Sequence, residues 1–393
     1  MTDTRNWQET NERYEAWWNG TLSRGPILKA FVLKQTRRSQ PAGQMRYQIQ
    51  PEWQADAQKQ AILWGMCPSP HYLGLGSEVT EDARQRYWLD LPGRLAAFKA
   101  ALGGTSPRGD AFLHFFPDFG SAVVASFLGV EPRYGGRSML NESESMGTLE
   151  EIEPFLRFDP SSFWWRTTLE LVSSALTTLD GSIMVGFPNL GGALDTLASM
   201  RGTQNLLMDL IVAPETVKRL ELRLAEVWVR YYKELCAVLQ ASGQKGTTSW
   251  VGVLGSGGVY PVQCDLAVMI SPDMFQEFAV PSLRVQAQAL DRCIFHYHGE
   301  GPKKTLDHLL NMDEIHAIQW SPGVHDPPED DESWLPVYRR ITEAGKGLLL
   351  LEVRPDRVRS LLANLPAERM AINVLCESEG EADELLSRYG TAL

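Results

Sequence analysis

Eight short apolar runs, separated by helical stretches, constrain this chain more than any other feature. They fall at 27–33, 111–116, 182–187, 248–254, 292–297, 314–320, 347–353 and 369–375, and most are bounded by Gly, Pro, Asp or Asn. Runs without polar alternation are buried on both faces, which is the mark of parallel strands covered by helices. Eight such units in one chain predict a closed (β/α)8 TIM barrel rather than an open doubly wound sheet. No glycine-rich phosphate loop follows any run, which also weakens the open sheet. With 393 residues, 44% of them hydrophobic, the chain has ample material for one large core.

The stretches between the runs read as helices. Residues 6–19 are amphipathic and stop at Asn19-Gly20, giving an N-terminal helical extension over 1–25. Residues 35–105 are rich in Gln, Arg and Gly with weak periodicity, and are expected to form a helical and loop insertion capping one end of the barrel. Pro214-Glu215 opens a long helix to about Gln240, and Ser271-Pro272-Asp273 combines an N-cap with a first-turn proline. Further helices are expected from Pro355-Asp356 and over Glu379 to Tyr389. No repeat or linker divides the chain, so 1–393 reads as one barrel domain.

A formal charge of −12 argues against an extended nucleic-acid or anionic-membrane surface. The N-terminus is polar, and no segment is long and apolar enough to span a bilayer, so the expectation is a cytoplasmic protein. Five scattered cysteines do not make a disulfide framework.

In such barrels chemistry sits at the C-terminal ends of the strands. The fifth run ends in His296-Tyr297-His298 and the eighth in Cys376. Side chains at i and i+2 of a strand share a face, so both imidazoles can enter one cavity and meet the sulfur there. Two nitrogens and one sulfur with one position open form the ligand set of a catalytic zinc. His296, His298 and Cys376 are thus candidate metal ligands. The alternative reading of His-x-His is a hydrogen-bonded pair lining a cavity.

Other strand ends add polar groups. Asp118, Tyr260 and Glu352 are candidate catalytic residues, as acids, bases or orienting groups. Asn189, Gln319 and Trp320 are candidate substrate contacts, and Glu352 or Gln319 could fix an imidazole tautomer. Amides and tyrosines at such places often only satisfy backbone groups.

Several segments together resemble the uroporphyrinogen decarboxylase superfamily over nearly the whole length. They are Asn19-Gly20 to Arg24-Gly25-Pro26, Phe116-Pro117-Asp118-Phe119-Gly120, Gly186-Phe187-Pro188, Arg201-Gly202, Leu206 to Leu210, Pro214-Glu215, Ile270-Ser271-Pro272 and Phe275 to Phe278. The resemblance implies a TIM barrel related to porphyrinogen decarboxylases and to zinc-dependent methyltransferases that use corrinoid cofactors. The stretch Ala30 to Arg38 lacks the decarboxylases' Arg-Gln-Ala-Gly-Arg pattern, and Cys376 stands where they carry a histidine. The methyltransferases carry His-x-Cys after strand five and Cys after strand eight, against His296-x-His298 and Cys376 here.

The resemblance therefore implies methyl transfer between a small methylated substrate or a thiol and a corrinoid. The corrinoid would ride on a partner protein, since no Asp-x-His-x-x-Gly motif occurs in this chain. Pairing into a homodimer is a further expectation for barrels of this type. The alternatives are a decarboxylase or other lyase centred on Asp118, and a non-catalytic barrel that binds a tetrapyrrole or other small ligand.

Overall fold

The computed structural model describes residues 7–33, 47–76, 79–142, 145–298, 305–323 and 325–390. Residues 1–6 and 34–46, on which parts of the extension and insertion readings rest, lie outside the described residues. The described strands are β1 (Ile27–Val32), β2 (Ser106–Gly109), β3 (Leu113–Phe115), β4 (Arg133–Tyr134), β5 (Met139–Leu140), β6 (Ile183–Val185), β7 (Val259–Gln263), β8 (Arg292–His298), β9 (Ala317–Ser321), β10 (Gly347–Val353) and β11 (Met370–Cys376).

Eight of these are the staves of a (β/α)8 barrel, in the chain order β1, β3, β6, β7, β8, β9, β10, β11. Six run parallel in one hydrogen-bonded arc, β1-β11-β10-β9-β8-β7, with the antiparallel β2 attached to β1. The remaining two, β3 and β6, form a parallel pair. Helices jacket the staves, the longest being Pro214–Ala241. The N-terminal helix Trp7–Trp18 closes the opposite end from the strand C-termini. Its Trp17 ring lies against Gly347, its Glu15 pairs with Arg292, and its Trp18 Nε1 donates to the Leu254 carbonyl. None of the described helices is long and apolar enough to cross a membrane.

The fourth stave is not where the apolar pattern puts it. The run 248–254 is not a strand; the stave is Val259–Gln263, which pairs with β8. The run instead turns back on itself. Thr247 and Gly255 bridge, Gly252 N–H bonds the Ser249 carbonyl, and Gly252 takes a left-handed φ of 61° that suits glycine. Pro261 within β7 is tolerated because β7 ends the arc, so no neighbour on that side needs its missing N–H.

This turn lies inside the barrel. Its carbonyls are met by side chains of β1 and β3: Lys29 Nζ donates to Gly252 O at 2.7 Å, and His114 Nε2 bonds Trp250 O at 3.2 Å. Buried carbonyls of an irregular segment require such partners. The same contacts fix which face of the sheet is interior. Register partners share a face, and a row runs unbroken from Gln263 through His296, Gln319, Leu349 and Ala371 to Ile27. Lys29, two residues beyond Ile27, is on that face, so the whole row points inward.

Candidate active site

His296 stands second in the inner row, between Gln263 and Gln319, towards the C-terminal end of its strand. Its Nδ1 hydrogen-bonds Gln319 Oε1 on the adjacent stave. Gln319 is fully buried and its Nε2 donates to Trp320 O at 2.8 Å, which leaves Oε1 as the atom facing the ring. Oε1 can only accept, so Nδ1 carries the proton and Nε2 holds the lone pair of the neutral imidazole. Burial pushes the His296 pKa below the ordinary imidazole value, with His298 adding to the effect and the Asp265 charge and Gln319 bond opposing it. The half-buried ring stacks on exposed His298 at 5.8 Å and 28°, and meets Trp250 edge-on at 6.4 Å.

On the other side of His296 stands Gln263, its register partner on β7. Gln263 Nε2 donates to Asp265 Oδ2 at 3.1 Å. The Asp265 loop is anchored in turn by Asp195, at the start of the helix Ala193–Arg201. Its carboxylate accepts the backbone N–H groups of Asp265 and Leu266, both at 2.9 Å. Burial first, and then the Asp265 charge, push the Asp195 pKa up to about 7. Deeper in the barrel, burial lowers Lys29 to about 7 against the pull of Asp110, and lowers His114 to about 3 with help from Lys29.

The structure brings together His296, His298 and Gln319, but not Cys376. Cys376 is five residues beyond Ala371, a member of the inner row, and so presents the opposite face. Its thiol lies near Glu381 of the helix Glu379–Tyr389, and burial together with that charge raises its pKa to about 12. A zinc-binding sulfur needs the reverse, a stabilised thiolate. Among the described residues no three His, Cys, Asp or Glu side chains stand close enough to hold a metal ion. The expected His296–His298–Cys376 set therefore does not fit zinc.

Tyr260 and Trp320 also turn away from the mouth. Tyr260 is fully buried among Phe187, Trp228 and Tyr232; its hydroxyl accepts from Leu190 N at 2.7 Å and faces Pro188 O at 3.3 Å. Burial raises its pKa far above the ordinary phenol value, which removes it as an acid or base near neutrality. Trp320 stacks on Tyr297 and packs against Trp334 and Tyr338 on the jacket face, with no exposed surface. The parity of both follows from the inward face of Gln263, three residues after Tyr260, and of Gln319, the residue before Trp320.

The remaining candidates are held by local duties. Asp118 is buried beyond β3; its Oδ1 accepts Gly120 N at 2.7 Å and its carbonyl accepts from Arg94. Burial raises its pKa, while Arg94 and the Gly120 bond oppose the rise. Asn189 caps its own turn by accepting Gly191 N at 2.9 Å. Glu352 is exposed and pairs with Lys59 at 2.6 Å.

Gln263, Asp265, Asp195 and Trp250 escaped the sequence reading. The first two flank Cys264 at the end of the true fourth stave, and the misplaced run hid them. Lys29 carried a visible signal, as the lone charge in the apolar run Ile27 to Val32.

No protein-family model matches the sequence. None of the curated proteins matches it either. Among solved structures, one similar in shape is a methyltransferase from Methanosarcina mazei, 10% identical, covering 67% of this chain and 73% of that one, with a TM-score of 0.46. Another is a B12-independent methionine synthase from a Shewanella species, 13% identical, covering 53% of this chain and 59% of that one, with a TM-score of 0.32.

Proposed function

We propose that this chain is a methyltransferase acting on a small molecule at the C-terminal mouth of its barrel. His296 is its base: it takes the proton from the group that gains the methyl. The observation that carries this is the Gln319–His296 hydrogen bond, which leaves the imidazole neutral with its lone pair on Nε2. A pKa held below the ordinary value keeps that lone pair free at neutral pH.

The reaction class comes from the resemblance of the chain's segments to the uroporphyrinogen decarboxylase superfamily. A corrinoid on a separate protein is the methyl source or sink that this resemblance implies. The chain's own residues bind and orient the small partner, deprotonate it, and exclude water behind Trp250. A carboxy-lyase centred on Asp118 has less support, because that carboxylate is turned onto the Gly120 N–H of its own loop.

The test is methyl transfer from free methylcobalamin to a panel of small thiols and amines, followed by the spectral change of the corrinoid. Wild-type protein is expected to turn over at least one acceptor, and His296→Ala to lose about 100-fold or more in rate. Equal rates for the two proteins would remove His296 from the chemistry. Failure with every acceptor would remove the methyltransferase reading.

A further inference from the structure

We infer that Gln263 selects the substrate, and that the group it selects is a protonated amine. The inference rests on the reading that the ligand sits beside His296, and it goes beyond that reading by naming the ligand's chemistry.

Gln263 is 3% exposed, and among the described residues its Oε1 has no hydrogen-bond partner. Its amide orientation is forced, because only the NH2 end can bond the Asp265 carboxylate. The bare oxygen belongs to an inner-face side chain whose register partner on the adjacent stave is His296. An acceptor buried without a partner is costly, and such an atom beside a reactive group is explained by a donor that arrives with the ligand.

Three acceptor groups are gathered at this end of β7 and β8: Gln263, Asp265 two residues on and bonded to it, and His296 on the adjacent stave, whose imidazole feels the Asp265 charge. Among the described residues no lysine or arginine pairs with Asp265. Asp195 lies behind it, so two carboxylates crowd one loop; burial and the Asp265 charge hold the Asp195 pKa high. A cation with several N–H donors answers each of these features. A thiol has one weak donor and no charge. A carboxylate would meet three acceptors and a like charge.

Binding is measured with methylammonium as the probe, by isothermal titration calorimetry, with 2-mercaptoethanol and acetate as comparison ligands. Wild-type protein is expected to bind methylammonium in preference to both. Gln263→Leu, which keeps the bulk and removes the oxygen, is expected to weaken binding about 10- to 100-fold. Gln263→Asn keeps the amide but draws its oxygen back by one methylene and is expected to weaken binding likewise; it decides the matter where Gln263→Leu fails to fold. The inference is overturned by absent methylammonium binding, by preference for the thiol or acetate, or by a folded Gln263→Leu or Gln263→Asn protein that binds as the wild type does. Because no methyl transfer is measured, a protein that binds methylammonium through Gln263 yet transfers no methyl sinks the proposed reaction and not this assignment.

Discussion

His296 and Gln319 stand on adjacent parallel strands as register partners, and one hydrogen bond between them decides which imidazole nitrogen faces the barrel mouth. The glutamine is itself locked by the Trp320 carbonyl, so the ring cannot exchange tautomers without breaking two bonds.

The first prediction follows from that bond. Gln319→Leu is expected to lower kcat by about 10- to 100-fold with little change in KM, since it frees the tautomer without touching the ligand. Gln319→Glu places a negative charge on Nδ1–H and raises the imidazole pKa. The proposed base works when neutral, so the acid limb of the rate profile should lie below pH 6.5 in the wild type and move to higher pH in this variant. A limb that stays put would mean that another group titrates.

The cysteine gives the second. Cys376→Ser is expected to leave both activity and any metal content of the purified protein unchanged, as measured by elemental analysis. Loss of either, with the fold intact by circular dichroism, would return the sulfur to the site.

Glu221 provides a third, on stability. It sits on the helix Pro214–Ala241, bonded by the Ser282 hydroxyl, and burial raises its pKa to about 8, with the Asp195 charge adding to it. Between about 4.5 and 8 the folded protein keeps a proton that the unfolded chain releases, so this group's contribution to stability falls as pH rises through that window. Glu221→Gln removes the loss. Its melting temperature should exceed that of the wild type by roughly 2–5 °C at pH 8 and match it near pH 4.5.

Lys29 supplies the fourth. Lys29→Met leaves the Gly252 carbonyl buried without a donor, at a cost of about 1–3 kcal/mol in urea unfolding. An unchanged midpoint would show that the inner turn does not depend on this contact.

Seven of the eight staves could be read from apolar runs, because a strand buried on both faces leaves little room for polar residues. The fourth could not. Residues 248–254 are as apolar as any strand, but they are buried as a turn within the barrel, and burial rather than pairing is what hydrophobicity reports. The true stave carries Pro261, which argues against a strand until its edge position is known. The shared face of His296 and His298 was legible from spacing alone. The face of Cys376 was not, since parity between β8 and β11 passes through two intervening strands whose register only coordinates supply. The purpose of Lys29 was equally hidden, its partner lying 223 residues away.

The folded-back segment 247–255 has a consequence for which ligands the barrel can be changed to take. Its carbonyls are held by Lys29 and His114 and its Val251, Val253 and Leu254 are fully buried, so trimming one residue to a smaller one leaves the turn's main chain in place. Accommodating a bulkier compound would require shortening that segment, or reshaping the rim above it.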